Sequence, residues 1–508
     1  MRYILSFVAL VLLFSSCALT KAVYYFTPDI DDHEHIFLAD TMPKNVQDSR
    51  IINAISANQK LPDLYTWMDK AAMYEFPSGT EEELFKKTKT TSFIVMRNDS
   101  ILYEKYFNGY SEEQQQTVCS VTKAFVSAVT AIAVQEGYLR LDQSVADFIP
   151  AFANDARKEI QIRHLLNMTE GLNWMDYKNA FSLGLLYYAP NQNQYVINHT
   201  ALRYKPGTHF AYKSITTHIL GMCLEAAIGR RLSDYMNEKL WQPLEMPHDG
   251  LFTIDSEKHK HNRALGGMAV TPKAMLHFGK MMLNNGQWNG KQIVPLDYVN
   301  SIKERNIYHD KWWGYSSCFW MNSYLDRNYL DMMDFHASGY NGQYIFISPE
   351  HNMVVIRTGF KDKSQIDWTV AMGRLCALMG GIGNDMTHPE KYDFGNQFEG
   401  IYETNRSERL IIVDKGFNKK KQHVYHVFKD RNRTVKNTRP LRMSKHDGRS
   451  IVIRKFARQE RVMFEEFSGQ VVGVYYDDLL SIDSKYYKKT SAILPNKYQR
   501  KSVNKQKF

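Results

Sequence analysis

Two residues three positions apart, Ser120 and Lys123, offer the clearest chemistry in this sequence. They stand near the start of residues 118–137, a stretch whose small and apolar residues predict a buried helix ending near Gly137. Residues three apart share one helix face, so the amine can reach the hydroxyl. Burial and the positive end of a helix both disfavour the ammonium form, which leaves an amine able to take the serine proton. Alone the spacing is weak evidence, because an N-cap serine followed by a solvated lysine gives the same pattern.

A tyrosine and a glycine-rich strand follow in an order that would complete such a site. Tyr212 comes after a Pro-Gly turn and precedes an apolar helix predicted for residues 215–228, a position suited to a second proton carrier. Residues 334–349 are punctuated by glycines and lead into a strand, for which 353–358 is the predicted hairpin partner. The edge of that hairpin could line a cleft with backbone N–H groups.

Other elements must hold these residues in place, and the chain is long enough to supply them. Its 508 residues are 44% hydrophobic and 23% charged, an ordinary globular balance with room for a large core and more than one domain. Residues 92–95 and 101–107 are rich in β-branched and aromatic side chains and flank a short polar turn, which predicts a β-hairpin.

The order Ser-x-x-Lys, Tyr-x-Ser and His-x-Ser-Gly resembles the serine β-lactamase and penicillin-binding-protein superfamily from about residue 61 to about residue 381. The branch it most resembles contains class C β-lactamases, their esterase relatives and the 6-aminohexanoate-dimer hydrolases, especially in Ser-Gly-Tyr-Asn-Gly-Gln at 338–343. The resemblance implies an α+β, β-lactamase-like fold, with an antiparallel sheet flanked by helices and an all-helical subdomain. It implies a serine hydrolase that needs no metal or other cofactor.

The resemblance also assigns roles to individual residues. Ser120 would form an acyl-enzyme, Lys123 would take the serine proton, and Tyr212 would relay a proton to the leaving group. The oxyanion hole would combine the Ser120 N–H with an N–H from the strand near Ala337 or Ser338. The implied substrate-binding residues are Ser214, His336, Ala337, Ser338 and Gly339.

Two departures from the family pattern bear on the substrate. Ser214 stands where β-lactamases carry an Asn that binds the substrate amide, and His336 stands near the Lys of their Lys-Thr-Gly motif. A neutral histidine is a poor replacement for a lysine that binds a carboxylate. We therefore expect an esterase or amidase acting on small linear substrates, or on peptides, rather than an efficient β-lactamase. The alternative is a catalytically weak binding or sensing protein that acts through its C-terminal domain.

The N-terminus has the features of an export signal. Residues 1–17 combine the positive Arg2, an apolar run too short to span a membrane comfortably, and small residues ending at Cys17. Phe-Ser-Ser-Cys resembles the lipobox of bacterial lipoproteins, although Phe14 replaces the usual aliphatic residue. We therefore expect an exported lipoprotein of the bacterial cell envelope, anchored by a lipid on Cys17 and facing the periplasm. Residues 18–60 are interpreted as a tether and lead-in to a hydrolase domain at 61–393.

Beyond residue 393 the pattern changes to short strands separated by polar turns. This predicts a C-terminal all-β domain at 394–484, forming a small barrel or meander or packing on the hydrolase, and a loosely ordered basic tail at 485–508. Residues 396–508 contain 26 Lys and Arg against 12 Asp and Glu, a net charge of +14, which leaves −4 of the total +10 for the rest. The basic part would face an anionic envelope surface, or it is simply a solvated face. Nucleic acid is not an expected partner of an exported chain.

Several other residues invite a functional interpretation that the sequence does not favour. Residues 31–35 and the pair His259 and His261 contain metal-ligand types, but no rigid element is predicted to hold them, so no metal site is expected. Cys119 precedes the nucleophile but has no predicted basic partner, and it is interpreted as a small buried residue. An aromatic cluster would either wall the cleft or pack in the core: Trp312, Trp313, Tyr315 and Trp320.

Overall fold

The computed structural model describes most of the predicted hydrolase domain and the strands that follow it. The described residues are 37–45, 53–54, 60–62, 80–174, 176, 180–303, 314–321, 334–360, 366, 368–380, and eight strands between 400 and 491. The chain divides into two compact units near residue 382. The predicted signal peptide with Cys17, residues 31–35, Trp312, Trp313 and the end of the basic tail lie outside the described residues.

Ten α-helices are described in the first unit. Several begin at residue types that favour helix N-termini, such as Thr80, whose capping box is complete, and Thr271, which is followed by Pro272. The helices are α1 Glu81–Lys87, α2 Thr122–Gln135, α3 Ile162–Leu166, α4 Ala180–Tyr188, α5 Gln192–His199, α6 Ser214–Ile228, α7 Leu232–Met236, α8 Pro272–Leu283, α9 Leu296–Lys303 and α10 Trp368–Met379.

Fourteen strands are described in the same unit. They are β1 Ala39–Met42, β2 Asn53–Ala54, β3 Thr90–Arg97, β4 Ser100–Tyr106, β5 Gln116–Thr117, β6 Gly250–Thr253, β7 Met268–Val270, β8 Gln287–Trp288, β9 Lys291–Gln292, β10 Gly314–Ser316, β11 Phe319–Met321, β12 Phe335–Gly339, β13 Gln343–Ser348 and β14 Met353–Gly359. Eight of them form one sheet in the order β10-β11-β12-β13-β14-β3-β4-β2. Only the β2–β4 pair is parallel within it. A second sheet has the order β1-β6-β7-β5, and β8 pairs with β9.

Helices cover both faces of the large sheet, as the resemblance implied. One core contains residues of α2, α6 and α8 together with Ala337 and Ile345 from the sheet. A smaller core lies on the other face, where Phe93 and Phe346 pack with residues of α1 and α10. Strand residues of both cores alternate, because successive side chains in a strand point to opposite faces. The α+β fold and both predicted hairpins, β3–β4 and β13–β14, are therefore confirmed.

The lead-in segment is more structured than the sequence indicated. Residues 39–42 and 53–54, which the sequence assigned to a tether, form β1 and β2 of the two sheets. Asp40 of β1 accepts hydrogen bonds from Ser233 Oγ at 2.7 Å and Asn262 Nδ2 at 2.9 Å, and it pairs with Arg231. These strands are short and lack clear alternation, which is why periodicity did not predict them.

The second unit contains eight strands that pair in sequence order and close into a barrel. They are β15 Gly400–Glu403, β16 Glu408–Phe417, β17 His423–Arg431, β18 Leu441–His446, β19 Ser450–Lys455, β20 Arg458–Phe467, β21 Gln470–Asp478 and β22 Lys485–Ser491. Two of them, β18 and β22, lack the apolar pattern that predicts a strand from sequence, because lysines and arginines interrupt it. Residues 485–491 thus belong to the barrel and not to a loosely ordered tail. Across the residues described here, no helix is both long enough and apolar enough to span a membrane.

Candidate active site

The candidate nucleophile lies on a tight turn at the start of the main buried helix. Residues Cys119–Val121 form a single 3-10 turn that runs directly into α2, and Ser120 is partly exposed there. Two hydrogen bonds fix this turn to β7, from the Val118 N–H to the Met268 carbonyl at 3.0 Å and from the Met268 N–H to Thr122 Oγ1 at 3.1 Å. Cys119 has φ of +49°, an uncommon value for a residue with a side chain. The turn therefore presents Ser120 at the end of a rigid helix.

Lys123 is positioned to act on that serine. Its Nζ lies 2.8 Å from Ser120 Oγ and also donates to the Leu265 carbonyl. The side chain is 1% exposed, and burial lowers the pKa of its amine from 10.5 to about 8, a fall that the negative charge of Asp176 partly opposes. With that pKa, roughly one molecule in ten carries the neutral amine at pH 7. The structure thus brings the predicted nucleophile and base into hydrogen-bond distance.

The end of strand β12 lies against the nucleophile turn. A Cβ added to Gly339 would come 2.3 Å from the Val118 carbonyl oxygen and 3.3 Å from Cys119 Cβ, so only glycine permits this close approach. The end of β12 therefore lies against the turn that carries Ser120, as an oxyanion N–H from this strand would require. Ala337 itself is 2% exposed and belongs to the core that contains α2.

His336 does not lie in the cleft, which corrects the role assigned to it from sequence. Its ring stacks on Phe346 at 6.1 Å and contacts Tyr344 at 6.3 Å, and both rings pack in the core on the sheet face opposite α2. Burial lowers the pKa of His336 to about 3, so the ring is neutral at physiological pH. The strand alternation puts Ala337 on the α2 face and His336 on the other face. Ser338 shares the face of His336, because it lies opposite Tyr344 in the β12–β13 pair.

Tyr212 lies beside Lys123 on a segment that precedes α6. Lys123 Nζ is 5.4 Å from the centre of the Tyr212 ring. The segment is fixed by hydrogen bonds from the Ala211 N–H to the Met168 carbonyl at 3.0 Å and from the Gly207 N–H to the Thr169 carbonyl at 2.8 Å. The three predicted catalytic residues are therefore neighbours. Ser214, the first residue of α6, is 6% exposed, so neighbouring residues cover most of its surface.

Aromatic rings surround Tyr212. Its ring stacks on Trp320 at 5.2 Å and meets Tyr315 edge-on at 5.8 Å, and Phe210 contacts both of those rings. Tyr315 is fully buried, and burial raises the pKa of its hydroxyl well above 10. Trp320 and Phe210 are partly exposed, so both predicted roles of the aromatic cluster are present: Tyr315 packs in the interior, while Trp320 and Phe210 line the approach to Tyr212.

Two buried carboxylates near this segment were missed in the sequence. Glu170 forms an ion pair with Lys213 at 2.7 Å, and both side chains are almost completely buried. Asp176 accepts hydrogen bonds from the Trp174 indole N–H and the Ser214 backbone N–H, each at 2.8 Å. Both acids come from the loop after α3. Their residue types were visible in the sequence, but their contacts with Lys213 and Ser214 join residues about 40 positions apart.

The cysteine and the two histidines for which the sequence did not favour a functional role have none in the proposed chemistry. Cys119 is partly exposed beside Ser120 and not fully buried as predicted. His261 pairs with Asp255 at 2.8 Å, and the His259 ring stacks on it at 5.7 Å. In the described part of the chain, no three His, Cys, Asp or Glu side chains are grouped to hold a metal ion.

The comparison with known families agrees with this geometry. The β-lactamase family model matches residues 80–359, more than half of the chain, and this range contains Ser120, Lys123, Tyr212 and Gly339. The chain belongs to the β-lactamase family. Its membership of this family makes it a serine hydrolase.

The relatives of this β-lactamase-family chain are distant. It is 24% identical over 295 residues to the 6-aminohexanoate-dimer hydrolase of Paenarthrobacter ureafaciens, which covers 54% of this chain and 74% of that protein. A solved structure from Bacillus anthracis, named as a 6-aminohexanoate-dimer hydrolase, has a TM-score of 0.57 at 20% identity, covering 69% of this chain and 93% of the other. The structure of SurE has a TM-score of 0.50 at 16% identity, covering 80% and 97%. At these identities the solved structures show a shared fold.

Proposed function

We propose that the chain hydrolyses a small ester or amide through an acyl-enzyme on Ser120. The observation that carries the proposal is the 2.8 Å contact between Ser120 Oγ and Lys123 Nζ, in which the lysine is buried and its pKa is lowered to about 8. A serine hydroxyl becomes an effective nucleophile when a neighbouring base accepts its proton, and a lysine can do so only in its neutral form. A protein that only bound ligands would have no physical need for this arrangement.

The reaction divides into two steps. In the first, Ser120 Oγ attacks the substrate carbonyl while its proton passes to Lys123, and the leaving alcohol or amine departs with a proton relayed through Tyr212. In the second, a water molecule attacks the acyl-enzyme, gives up a proton to the same pair and releases the carboxylic acid. The Ser120 N–H and an N–H at the end of β12, next to Gly339, would stabilise the oxyanion in both steps.

The residues around Ser120 favour a substrate without a carboxylate at the β12 side of the cleft. Ala337 occupies the α2 face of that strand and His336 lies on the opposite face, so neither offers a cation there. Lys213, the cation next to Tyr212, is already paired with Glu170. Penicillins carry a carboxylate that needs such a cation, so they should be poor substrates. The partly exposed rings of Phe210 and Trp320 favour an apolar acyl or leaving group.

Similarity to a 6-aminohexanoate-dimer hydrolase supports the amidase side of this proposal, since the name of that protein describes cleavage of a linear amide. The proposal itself requires only that an ester or an amide carbonyl reaches Ser120. A panel of p-nitrophenyl esters and p-nitroanilides with short acyl chains would decide between the two bond types, because both release a coloured product.

The first test is the intact mass of the protein lacking residues 1–17 after separate treatment with a fluorophosphonate and a penicillin. We expect a fluorophosphonate adduct that is lost in Ser120→Ala, and little or no penicillin adduct. A fluorophosphonate adduct that survived Ser120→Ala would contradict the mechanism. No adduct with either reagent in a folded sample would favour a binding or sensing protein instead.

We also propose that the protein is an exported lipoprotein of the bacterial cell envelope. Residues 1–17 support this proposal, because a positive start and a short apolar run lead to Cys17 in a lipobox-like phrase. Metabolic labelling with a fatty acid should tag the full-length protein in bacteria and leave Cys17→Ser untagged. Labelling of both proteins, or of neither, would contradict the proposal.

A further inference from the structure

Asp176 is a buried carboxylate whose described hydrogen bonds come from neutral groups. The residue is 2% exposed, and its two oxygens accept from the Trp174 indole N–H and the Ser214 backbone N–H at 2.8 Å each. Glu170, on the same loop, differs because Lys213 neutralises it at 2.7 Å. A buried negative charge is costly unless a positive charge or a strong dipole faces it. Asp176 faces the N-terminus of α6, where the helix dipole is positive, and its charge also acts on Lys123.

The position of Asp176 connects it to two of the three proposed catalytic residues. Its bond to Ser214 fixes the first residue of α6, two positions after Tyr212. The other titratable or polar groups that face Lys123 are Cys119 and Ser120 from its own turn, Tyr212 from the segment before α6, Cys318 after β10, and the Leu265 carbonyl before β7. Burial raises the pKa of the Cys318 thiol to about 11, so it is neutral during turnover.

We propose that Asp176 is a positioning residue that fixes the Tyr212 segment and supplies the counter-charge for the Lys123 ammonium formed when Ser120 is acylated. This inference rests on the proposed function of Ser120 and Lys123. When Ser120 Oγ bonds to the carbonyl carbon, its proton moves to Lys123, and a positive charge develops on a side chain that is only 1% exposed. A nearby fixed negative charge stabilises that ammonium and therefore the acylation transition state. Trp174 holds the carboxylate in place, so it need not reorganise during the reaction.

The same charge has an opposite effect on the free enzyme. Because Asp176 favours the protonated amine, it raises the pH at which Lys123 becomes neutral and able to act as a base. Removing the charge should therefore shift the acidic limb of the rate profile to lower pH and, in addition, reduce the limiting rate at high pH. A residue with a purely structural role would reduce the rate without moving the limb.

The test compares fluorophosphonate labelling rates between pH 6 and pH 10 for the wild type, Asp176→Asn, Asp176→Glu and Asp255→Asn. Asp255 is a matched control, since its side chain is also fully buried but binds His261 and the Gln192 N–H. We expect Asp176→Asn to move the limb down by about one pH unit and to lower the limiting rate at least tenfold. Asp176→Glu keeps the charge and should keep the limb near that of the wild type. Asp255→Asn should leave the limb unchanged.

Two results would overturn the inference. One is a folded Asp176→Asn protein whose pH–rate profile keeps its acidic limb at the wild-type pH, whatever its limiting rate. The other is an equal shift of the acidic limb in Asp255→Asn. If Asp176→Asn does not fold, the result for Asp176→Glu decides. An acidic limb of its pH–rate profile displaced by as much as one pH unit would contradict the counter-charge role. A limb within a few tenths of a pH unit of the wild type would support it. Failure of the underlying function is distinguishable, because the wild type itself would then show no Ser120-dependent labelling.

Discussion

Replacing Lys123 with methionine should stabilise the folded protein relative to the wild type at neutral pH while it abolishes activity. Methionine has a similar unbranched shape and needs no hydration, whereas the wild type buries an amine that is 1% exposed. The fall in the Lys123 pKa from 10.5 to about 8 corresponds to a penalty of about 3 kcal/mol in the free energy of unfolding below pH 8. Lys123→Met removes this penalty, but it also loses the hydrogen bonds to Ser120 and to the Leu265 carbonyl, which would offset about 2 kcal/mol of the gain in stability.

The pH dependence of this difference is the sharper measurement. Between pH 8 and pH 10.5 the unfolded chain holds a proton on Lys123 that the folded chain lacks, so the free energy of unfolding of the wild type rises with pH in that window. Below pH 8 both states are protonated, and the penalty is constant. The free energy of unfolding of the wild type minus that of Lys123→Met should therefore rise by about 2 kcal/mol between pH 7 and pH 9.5.

Urea unfolding followed by tryptophan fluorescence at four pH values would measure this difference. Titrating groups common to both proteins cancel in the subtraction, including those of the C-terminal barrel. Lys280→Met is a suitable control, because Lys280 is also nearly buried but its Nζ lies 3.1 Å from Asp99. Parallel curves for the wild type and Lys123→Met would refute the conclusion that burial makes Lys123 a base, and a similar slope with Lys280→Met would show that the effect is not specific.

Three further outcomes are expected around the same site. Ser120→Ala should lose fluorophosphonate labelling completely with an unchanged melting temperature, while Cys119→Ala should keep most of the labelling; loss in both would mean that the turn itself had changed. Tyr212→Phe should slow the hydrolysis of p-nitrophenyl acetate by about 100-fold or more, and a rate near that of the wild type would exclude Tyr212 as the proton relay. Gly339→Ala should reduce labelling by about 100-fold, because its methyl group would lie 2.3 Å from the Val118 carbonyl oxygen. Gly266→Ala, with its nearest neighbour at 3.4 Å, is the matched control and should label normally.

The catalytic pair was predictable because its geometry is local. Because Ser120 and Lys123 are three positions apart in one helical segment, they come together whatever the tertiary fold. In the structure, the two side chains are in contact. Asp176 and Glu170 were not predictable in this way, since their partners Ser214 and Lys213 lie far along the chain and meet them only after folding.

The strand motif shows a different limit of the sequence. His336 was chosen for its chemical type, although the alternation of a strand allows only every second residue to face Ser120. Gly339 contacts the turn that carries Ser120, and Ala337, two positions earlier, lies on the same face of the strand. His336 therefore lies on the opposite face. Knowing which residue of a strand faces the site requires one tertiary contact as a reference, and the sequence alone does not provide it.

The pairing of β1 with β6 has a consequence for how far the enzyme can move from a surface. Phe37 packs against Tyr188 with ring centres 5.6 Å apart, and Asp40 accepts hydrogen bonds from Ser233 and Asn262, so the chain is fixed to the folded body at residues 37–40. If Cys17 carries a lipid, only about 20 residues separate the bilayer from that body. Even a fully extended leash of that length spans no more than about 70 Å. The hydrolase domain, and Ser120 with it, would then stay close to the membrane and would act only on substrates that diffuse into that region.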